Sequence, residues 1–324
     1  MRVSSPARGL IGAPSSCCST RAGPCFDCGR RIEGNRSERS TGLLSYLHGF
    51  HAGNHADVFK HAVLGLVLES LLAKPKPLVY VESHAGAGRY DLGAEQALKT
   101  AEYRLGIARL WEQRDVFPEL SAYLGAISSL NPSGGFSVYP GSPALAAHLL
   151  RAQDRLILME LHPTESQTLR RHLGGDPRIG IHRRDGLEGL TALLPPKPAR
   201  GLVLIDPPYE QVSEYRRVAE ALLAAHARWP TGVYALWFPR LGLQRDRSAD
   251  LIGSIRRSVS DGLLCELRVR RQVDDFGMHG SGMLILNPPW RLEERLGDLL
   301  PRLADTLAIE ETGRSVPSWT IERI

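Results

Sequence analysis

The chain has 324 residues, which suffices for one sizeable α/β domain with an insertion or for two small domains. Its 43% hydrophobic content is ordinary for a soluble globular protein, and no apolar stretch is long enough for a transmembrane helix, which excludes a membrane-spanning protein. The pI of about 9.0 suggests a nucleic-acid partner, but most of the excess charge lies in residues 1–42, with seven arginines against three acids. Any nucleic-acid-binding surface on residues 43–324 must therefore come from a local cluster of basic residues, not from net charge.

Residues 1–42 are rich in Ser, Gly, Pro, Arg and Cys and have no hydrophobic periodicity, which predicts disorder. They lack the apolar core of a secretory signal, and an organelle transit peptide is an alternative interpretation. Cys25 and Cys28 have the spacing of half a zinc site, but no second pair follows, so we expect no zinc there. Cys265 is the only cysteine after residue 42, which indicates a reducing, cytoplasmic setting.

From residue 43 onward, helix-like and strand-like segments alternate, the pattern of a mostly parallel sheet with helices on both faces. Residues 58–73 have apolar side chains at helical spacing, and 77–81 form a β-rich run that ends in a glycine-rich turn. Residues from about 92 to 130 contain no strand candidate, which predicts a small helical insertion at about 92–135. Within it we expect one buried stripe formed by Leu98, Ala101, Leu105, Ile107, Ala108 and Trp111.

Six more strand candidates follow the insertion, and the last two close the chain in a hairpin-like order: 156–160, 179–182, 201–205, 233–237, 265–271 and 283–287. We therefore predict an α/β fold with a mixed, mostly parallel sheet of seven strands. The expected organisation is a disordered segment at 1–42 and one domain at 43–324.

The strongest chemical signal is an apolar strand that runs into Asp206-Pro207-Pro208-Tyr209. An adenine N6 amine is a poor nucleophile, so its methylation needs acceptors for both amino hydrogens while the nitrogen becomes pyramidal. The Asp206 carboxylate and the Pro207 carbonyl can accept them, because two prolines make the turn rigid. Tyr209 offers a flat face to a base taken out of its stack. The motif predicts methylation of an exocyclic amine, with a rigid surface turn as the alternative.

A second sequence, Asn287-Pro288-Pro289-Trp290, also fits the amine-methyltransferase pattern. The order of elements discriminates between the two, because the cofactor loop should come first, then an acid, then the catalytic turn at the fourth strand. Asp206 fits this order, whereas Asn287 follows the seventh strand candidate. We therefore predict that Asp206 is catalytic and keep Asn287 as the alternative.

Three further strand ends carry features of a nucleoside-binding edge. Glu82 closes the first strand and is followed by a G-x-G turn that begins at Gly86, where glycines allow close approach of a cofactor. Glu160 closes the second strand, where an acid can hold ribose hydroxyls. Asp185 and Gly186 follow the third strand, where an adenine amine would be read. Each feature alone is also compatible with an exposed strand end, and their order favours a cofactor site.

Histidine is concentrated near the start of the body, where five of eleven lie within 37 residues: His48, His51, His55, His61 and His84. A metal cluster is one interpretation, but the spacing matches no standard site and only Asp57 adds a nearby acid. We favour contact with substrate or cofactor and expect no metal.

Together these motifs resemble the bacterial 23S rRNA adenine-N6 methyltransferase family, over essentially residues 43–324. The most specific element is Phe50-His51-Ala52-Gly53-Asn54-His55-Ala56-Asp57, because generic D-P-P-Y enzymes lack it. The similarity also covers these segments: Leu44-Ser45-Tyr46, Lys60-His61, His84 to Tyr90, Tyr139 to Pro143, Glu160 to Pro163, Asp185-Gly186, Asp206 to Glu210, Tyr234 to Trp237 and Asn287 to Trp290.

The resemblance implies a class I, Rossmann-like methyltransferase fold that uses S-adenosyl-L-methionine. It implies a catalytic acceptor at Asp206 and a substrate-side role for Tyr46, assisted by His48, His51 and Lys60. Glu82 stands where an aspartate is usual in the family. The cofactor contacts that follow from the resemblance and from the glycine-rich turn are His61, His84, Gly86, Ser142, Glu160, Asp185, Gly186 and Asp206.

The resemblance also bears on the tail and on the partners. Family chains begin about three residues before the tyrosine that matches Tyr46, which gives the hypothesis that residues 1–42 are not translated and that Leu43 takes the initiator position. The expected partner is 23S rRNA, naked or in early assembly, bound by a monomer that contacts no membrane. Two alternatives stay open: an adenine-N6 methyltransferase acting on DNA, and a non-catalytic RNA-binding protein on the same fold.

Overall fold

The computed structural model describes residues 47–274, 277–309 and 317–324. The predicted tail, residues 1–42, and the predicted substrate residue Tyr46 lie outside the described residues. No helix in these three ranges combines the length and the apolar character needed to cross a bilayer.

Ten strands are present in the described residues: β1 (Val79–Glu82), β2 (Arg89–Asp91), β3 (Val138–Pro140), β4 (Arg155–Met159), β5 (Ile179–His182), β6 (Gly201–Ile205), β7 (Val233–Leu241), β8 (Gly262–Arg268), β9 (Met278–Leu286) and β10 (Ser318–Arg323). The same ranges contain ten α-helices: α1 (His55–Leu72), α2 (Glu95–Thr100), α3 (Ile107–Glu112), α4 (Ser121–Leu130), α5 (Ser142–Leu149), α6 (Pro163–Leu173), α7 (Gly186–Leu193), α8 (Val212–Arg228), α9 (Ser248–Arg256) and α10 (Leu292–Leu307). Short 3₁₀ turns occur at His48–Phe50, Glu102–Leu105, Arg114–Val116 and Pro118–Leu120.

The main sheet has eight strands in the order β10-β8-β9-β7-β6-β1-β4-β5. Strands β5, β4, β1, β6 and β7 are parallel, and β9, β8 and β10 are added in antiparallel pairing. The predicted mixed, mostly parallel α/β fold is therefore confirmed. The carboxyl ends of the five parallel strands share one edge, which is where open α/β sheets bind ligands.

The predicted count of seven strands is wrong by one, because β10 pairs with β8 as an additional edge strand. Its side chains are exposed or half-buried throughout, and it lacks the apolar run by which the other strands were recognised. An edge strand needs no second buried face, so its sequence carries little signal. Strands β8 and β9 also begin earlier than predicted, at Gly262 and Met278.

Helices cover both faces of the sheet, and alternate strand residues point to each side. In β6, Leu202 and Leu204 pack with α1, α5, α6 and α10, whereas Val203 and Ile205 pack with α7, α8 and α9. This two-sided burial explains why the parallel strands are continuously apolar. Helix α1 is buried from His55 to Leu68, and Asn54 caps it by accepting from the backbone N–H groups of Ala56 and Asp57.

The segment between β2 and β3, which pair antiparallel, holds α2, α3, α4 and three of the 3₁₀ turns. The predicted continuous buried stripe is wrong, because Leu98 and Leu105 are exposed. Ala101, with φ of 51°, ends α2, and the chain restarts as α3 after Gly106. A Cβ at Gly106 would lie 2.1 Å from the Gly53 carbonyl oxygen, so only glycine allows the two backbones to approach this closely. This close contact lies at the break between α2 and α3.

Candidate active site

A cavity of about 750 Å³ lies at the shared carboxyl edge of the parallel strands. The site residues predicted from the sequence that fall within the described ranges all line it: His48, His51, Lys60, His61, His84, Gly86, Ser142, Glu160, Asp185, Gly186, Asp206, Pro207 and Tyr209. They come from segments far apart in the sequence, and the parallel topology brings their strand ends together.

A buried charge cluster connects α1 to the D-P-P-Y turn. Lys60 Nζ donates to Asp206 Oδ2 at 2.6 Å and to Asp57 Oδ1 at 3.0 Å. Asp57 Oδ2 also accepts from the Gly53 backbone N–H at 2.9 Å and lies 2.8 Å from His48 Nε2. The two carboxylates raise the pKa of Lys60 against its burial, so the ammonium stays charged. Lys60 therefore fixes the carboxylate of Asp206 at the end of β6.

Tyr209, the aromatic residue of the D-P-P-Y turn, is fixed by contacts with Trp237 and Tyr215. Tyr209 has φ of 52°, a conformation that non-glycine residues seldom adopt, and its hydroxyl donates to the Trp237 carbonyl at 3.0 Å. Its ring centroid lies 4.5 Å from that of Tyr215, and only 6% of the residue is exposed. The neighbouring Trp237 also lines the cavity, and Lys60 Nζ lies 5.5 Å from its ring centroid.

The G-x-G turn and the end of β4 are bound to each other. Glu160 accepts from the backbone N–H of Gly86 at 2.8 Å and from that of His162 at 2.7 Å. Gly86 has φ of 58°, and a Cβ there would lie 2.3 Å from the Tyr90 hydroxyl. His84 lines the same region, with Nδ1 2.7 Å from Ser83 Oγ, and burial lowers its pKa to about 4. Both predicted strand-end features therefore belong to one wall.

A buried carboxyl lies beneath the glycine-rich turn. Glu82 has no exposed surface and accepts hydrogen bonds from the Ser142 hydroxyl and, at 2.9 Å, from the Tyr80 hydroxyl. Burial raises its pKa from 4.5 to about 8, so it is largely protonated at neutral pH. The predicted cofactor residue Ser142 thus lies at the start of α5, attached to the end of β1. Sequence reasoning did not identify Tyr80, although it is two residues before Glu82 on the same face of β1.

Asp185 and Gly186 form the start of α7. Asp185 caps the helix by accepting from the backbone N–H groups of Leu187 and Glu188, and its other oxygen lies 3.1 Å from Arg217 Nη2. A Cβ at Gly186 would lie 1.8 Å from the Ser83 carbonyl oxygen, so only glycine allows α7 to approach the β1 loop this closely. Arg217, which lies on α8, belongs to no motif that could be recognised in the sequence.

His61 is hydrogen-bonded in a buried series with two tyrosine hydroxyl groups, which the sequence motifs did not predict. Its Nδ1 lies 2.8 Å from the Tyr139 hydroxyl, which in turn lies 2.8 Å from the Tyr123 hydroxyl. Burial lowers the pKa of His61 to about 3, so the ring is neutral. Tyr139 lies on β3 and Tyr123 on α4, so His61 is held by the segment between β1 and β4.

His48 and His51 contact different acids, Asp57 and Glu102 respectively. His51 Nδ1 lies 3.0 Å from Glu102, which also accepts from the Asn54 side chain at 2.9 Å. The hydrogen bond that His51 donates to Glu102 raises the pKa of His51. No group of three or more His, Cys, Asp or Glu side chains among the described residues is arranged to hold a metal ion.

The alternative catalytic residue Asn287 lies beside the amino ends of the parallel strands, opposite to the cavity. It follows β9, which is antiparallel to β7, and Leu286 pairs with Tyr234 near the start of β7. The Asn287 amide donates to the carbonyls of Pro230 and Gly232 at 2.8 and 2.6 Å. Asn287 does not line the cavity, and its contacts are those of a turn-stabilising residue.

Comparison with known proteins places this site in a family. Residues 75–321 match the model of the family described as ribosomal RNA large subunit methyltransferase D, RlmJ. The chain belongs to this family. It is 46% identical over 281 residues to ribosomal RNA large subunit methyltransferase J of Escherichia coli, covering 86% of this chain and 99% of that protein. The Haemophilus influenzae protein of the same name is 44% identical, over 87% of this chain and 99% of its own length.

A solved structure shows the same fold in a relative. The crystal structure of a Legionella pneumophila protein superposes with a TM-score of 0.77 at 36% identity, covering 84% of this chain and 98% of the other. Together with the family match, this similarity confirms the class I methyltransferase fold that the resemblance implied.

The cavity fits the methyl donor of the family, S-adenosyl-L-methionine. Its volume is in the range of small-molecule sites, and acids stand at the ends of β4 and β5, where ribose hydroxyls and an adenine amine can be bound. The absence of a side chain at Gly86 leaves the backbone open to close approach. The residues present thus provide the hydrogen-bonding groups that a nucleoside requires.

Proposed function

We propose that this protein transfers a methyl group from S-adenosyl-L-methionine to the exocyclic N6 amine of an adenine in 23S rRNA. The observation that carries the proposal is the position of Asp206, held by Lys60 at the carboxyl end of β6 inside the cavity. Family membership over residues 75–321 and the Phe50–Asp57 run support the choice of ribosomal RNA.

The proposed mechanism uses acceptors for the two amino hydrogens of the target base. When bound, the cofactor supplies an electrophilic methyl group on a sulfonium. Lys60 holds Asp206 Oδ2, so Oδ1 can accept one amino hydrogen, and the Pro207 carbonyl accepts the other. The nitrogen lone pair, freed from the ring, would attack the methyl carbon as its bond to sulfur breaks, and Asp206 would take the proton that the methylated nitrogen loses. The rate comes from positioning and from exclusion of water. Tyr209 and Trp237 offer ring surface to the base at the cavity wall.

The remaining assignments divide the cavity into a cofactor side and a substrate side. We assign His61, His84, Gly86, Ser142, Glu160, Asp185, Gly186 and Asp206 to the cofactor. We assign Tyr46, His48, His51 and Lys60 to the substrate. The contacts of Glu160 with Gly86 and of Asp185 with α7 support the first group, because they fix both acids at adjacent strand ends. The protein is further proposed to act in the cytoplasm as a monomer on naked or early-assembly RNA.

Mapping N6-methyladenine in 23S rRNA from a deletion strain tests the proposal. One adenine methylated in the parent should be unmethylated in the mutant and should regain the methyl group when the gene is restored. Parallel mapping of genomic DNA addresses the alternative of a DNA adenine methyltransferase. A methyl group lost from DNA with unchanged rRNA would contradict the proposal, as would unchanged methylation of both.

A further inference from the structure

His55 lines the cavity, and the mechanism gives it no role, although the histidine-rich run to which it belongs was expected to contact substrate or cofactor. It is the first residue of α1, and 8% of it is exposed. Its Nδ1 is buried and has no hydrogen-bond partner within the part of the chain that the structure describes. A buried polar nitrogen without a partner destabilises the free protein, and a ligand that hydrogen-bonds to it would remove that cost.

The charge state of His55 restricts the kind of partner. Burial lowers its pKa to about 4, Arg270 lowers it further, and Glu102 opposes both. The imidazole is therefore neutral at physiological pH and offers one donor and one acceptor nitrogen. A phosphate or carboxylate would favour the protonated ring, whereas an uncharged group that both donates and accepts matches the neutral ring.

The position of His55 separates it from the cofactor side of the cavity. The charges that act on it are those of Glu102, Arg270 and Asp57, with His279. The charges that act on His84 are those of Asp206, Asp185 and Arg217. The wall near His55 therefore includes Glu102 and Arg270, which both line the cavity, and Met278, whose carbonyl accepts from Arg270. A substrate nucleotide that reaches Asp206 has this part of the cavity available for its ribose and base.

We propose that His55 binds the target nucleotide by a hydrogen bond to an uncharged group, either a ribose hydroxyl or a base edge. This rests on the proposed function, because the nucleotide is the substrate of that same site. The contact accounts for a buried imidazole without a partner at the start of a capped helix. It adds a substrate-binding residue to the cavity-lining residues already assigned to the substrate, His48, His51 and Lys60.

Two variants at His55 and one control test the contact. His55→Phe keeps a ring but removes both nitrogens, and His55→Gln keeps a donor and an acceptor. His226→Phe is the matched control, because His226 lies on α8, packs on Tyr234 of β7 and does not line the cavity. For each protein, calorimetry gives the Kd for S-adenosyl-L-methionine, thermal unfolding reports the fold, and initial rates on an RNA hairpin carrying the mapped adenine give kcat/KM.

The contact predicts a selective effect on RNA. His55→Phe should lower kcat/KM for the hairpin about tenfold, which corresponds to the loss of one hydrogen bond, with the cofactor Kd unchanged within about twofold. His55→Gln should recover most of the loss, and His226→Phe should match the wild type. An unchanged kcat/KM in His55→Phe would overturn the proposal, as would an equal weakening of cofactor binding.

A hairpin with one 2′-deoxynucleotide at the target position distinguishes the two sources of the hydrogen bond. If His55 binds the 2′-hydroxyl, His55→Phe should cause no further loss on the deoxy hairpin. If the two losses multiply, the base edge or another hydroxyl is the partner. A wild-type protein that is inactive on every RNA would overturn the proposed function, whereas an active wild type with an unaffected His55→Phe would overturn only this contact.

Discussion

At the scale of single residues, the site depends on groups whose ionisation is set by burial. Lys60 is charged because two carboxylates offset its burial, whereas His61 and His84 are neutral because burial dominates. Burial also dominates at Glu82 and keeps its carboxyl largely protonated at neutral pH, although the hydrogen bonds from Ser142 and Tyr80 lower its pKa. The sequence identified Glu82 as an acid at a strand end, but its neutral state depends on burial, which no local motif encodes.

We predict that Glu82→Gln changes how stability depends on pH. The pKa of Glu82 is raised in the folded protein from 4.5 to about 8, so between these values the folded state binds more protons than the unfolded state. Stability contributed by this group therefore falls as pH rises from about 5 to 8, by at most about 1.4 kcal/mol per pH unit. Glutamine does not titrate, so the variant should gain stability relative to wild type across this window.

Urea unfolding of both proteins at pH 5, 6, 7 and 8 measures this difference. Other titrating groups are shared by the two proteins and cancel in the comparison. A difference in the free energy of unfolding that stays constant over this range would contradict a raised pKa for Glu82.

At the scale of elements, the site is formed by helices that begin where parallel strands end. The sequence predicted this arrangement because Glu160 ends one apolar strand candidate, Asp206 directly follows another, and Asp185 comes after the third candidate, beyond Arg183 and Arg184. It did not predict the break between α2 and α3, because the contact of Gly106 with Gly53 joins segments more than fifty residues apart. It did not predict β10, because an exposed edge strand carries no apolar run.

The close approach of α7 to the β1 loop gives a prediction for Gly186→Ala. The added methyl group would meet the Ser83 carbonyl, so α7 and its capping residue Asp185 must shift. The variant should lose about 1–3 kcal/mol of stability and bind S-adenosyl-L-methionine more weakly. Thermal unfolding and calorimetric titration measure the two effects.

Gly253→Ala is the matched control, because Gly253 lies inside α9 with open space at its Cβ position. Alanine there should stabilise the helix by up to about 1 kcal/mol and leave cofactor binding unchanged. Wild-type stability and cofactor affinity in Gly186→Ala would show that the start of α7 does not depend on this contact.

At the scale of the whole molecule, strand direction separates two similar motifs. Asp206 and Asn287 both follow apolar strands and precede two prolines, and the order of elements in the sequence already favoured Asp206. The structure gives the physical reason, since β6 is parallel to β1 and β9 is antiparallel to β7. In the sequence, only the hairpin-like order of the last two strand candidates indicated strand direction. The position of Asn287 at the opposite end of the strands from Asp206 could therefore not be predicted.

We predict that Asn287→Ala affects folding but not chemistry. The variant loses two hydrogen bonds from the side-chain amide and must keep a φ of 52° without asparagine, which should cost about 1–3 kcal/mol. Methyl transfer per folded molecule should equal that of wild type, because Asn287 lies outside the cavity. Loss of transfer in a fully folded Asn287→Ala protein would contradict this separation.

The central claim is tested most directly by methyl incorporation into unmodified 23S rRNA from labelled S-adenosyl-L-methionine, with Asp206→Ala compared with wild type and with Asn287→Ala as the control. The wild type should label the N6 position of one adenine, and Asp206→Ala, which removes the acceptor, should be slower by a factor on the order of 10²–10⁴ while remaining folded. Undiminished incorporation by Asp206→Ala, or label at a position other than adenine N6, would contradict the account.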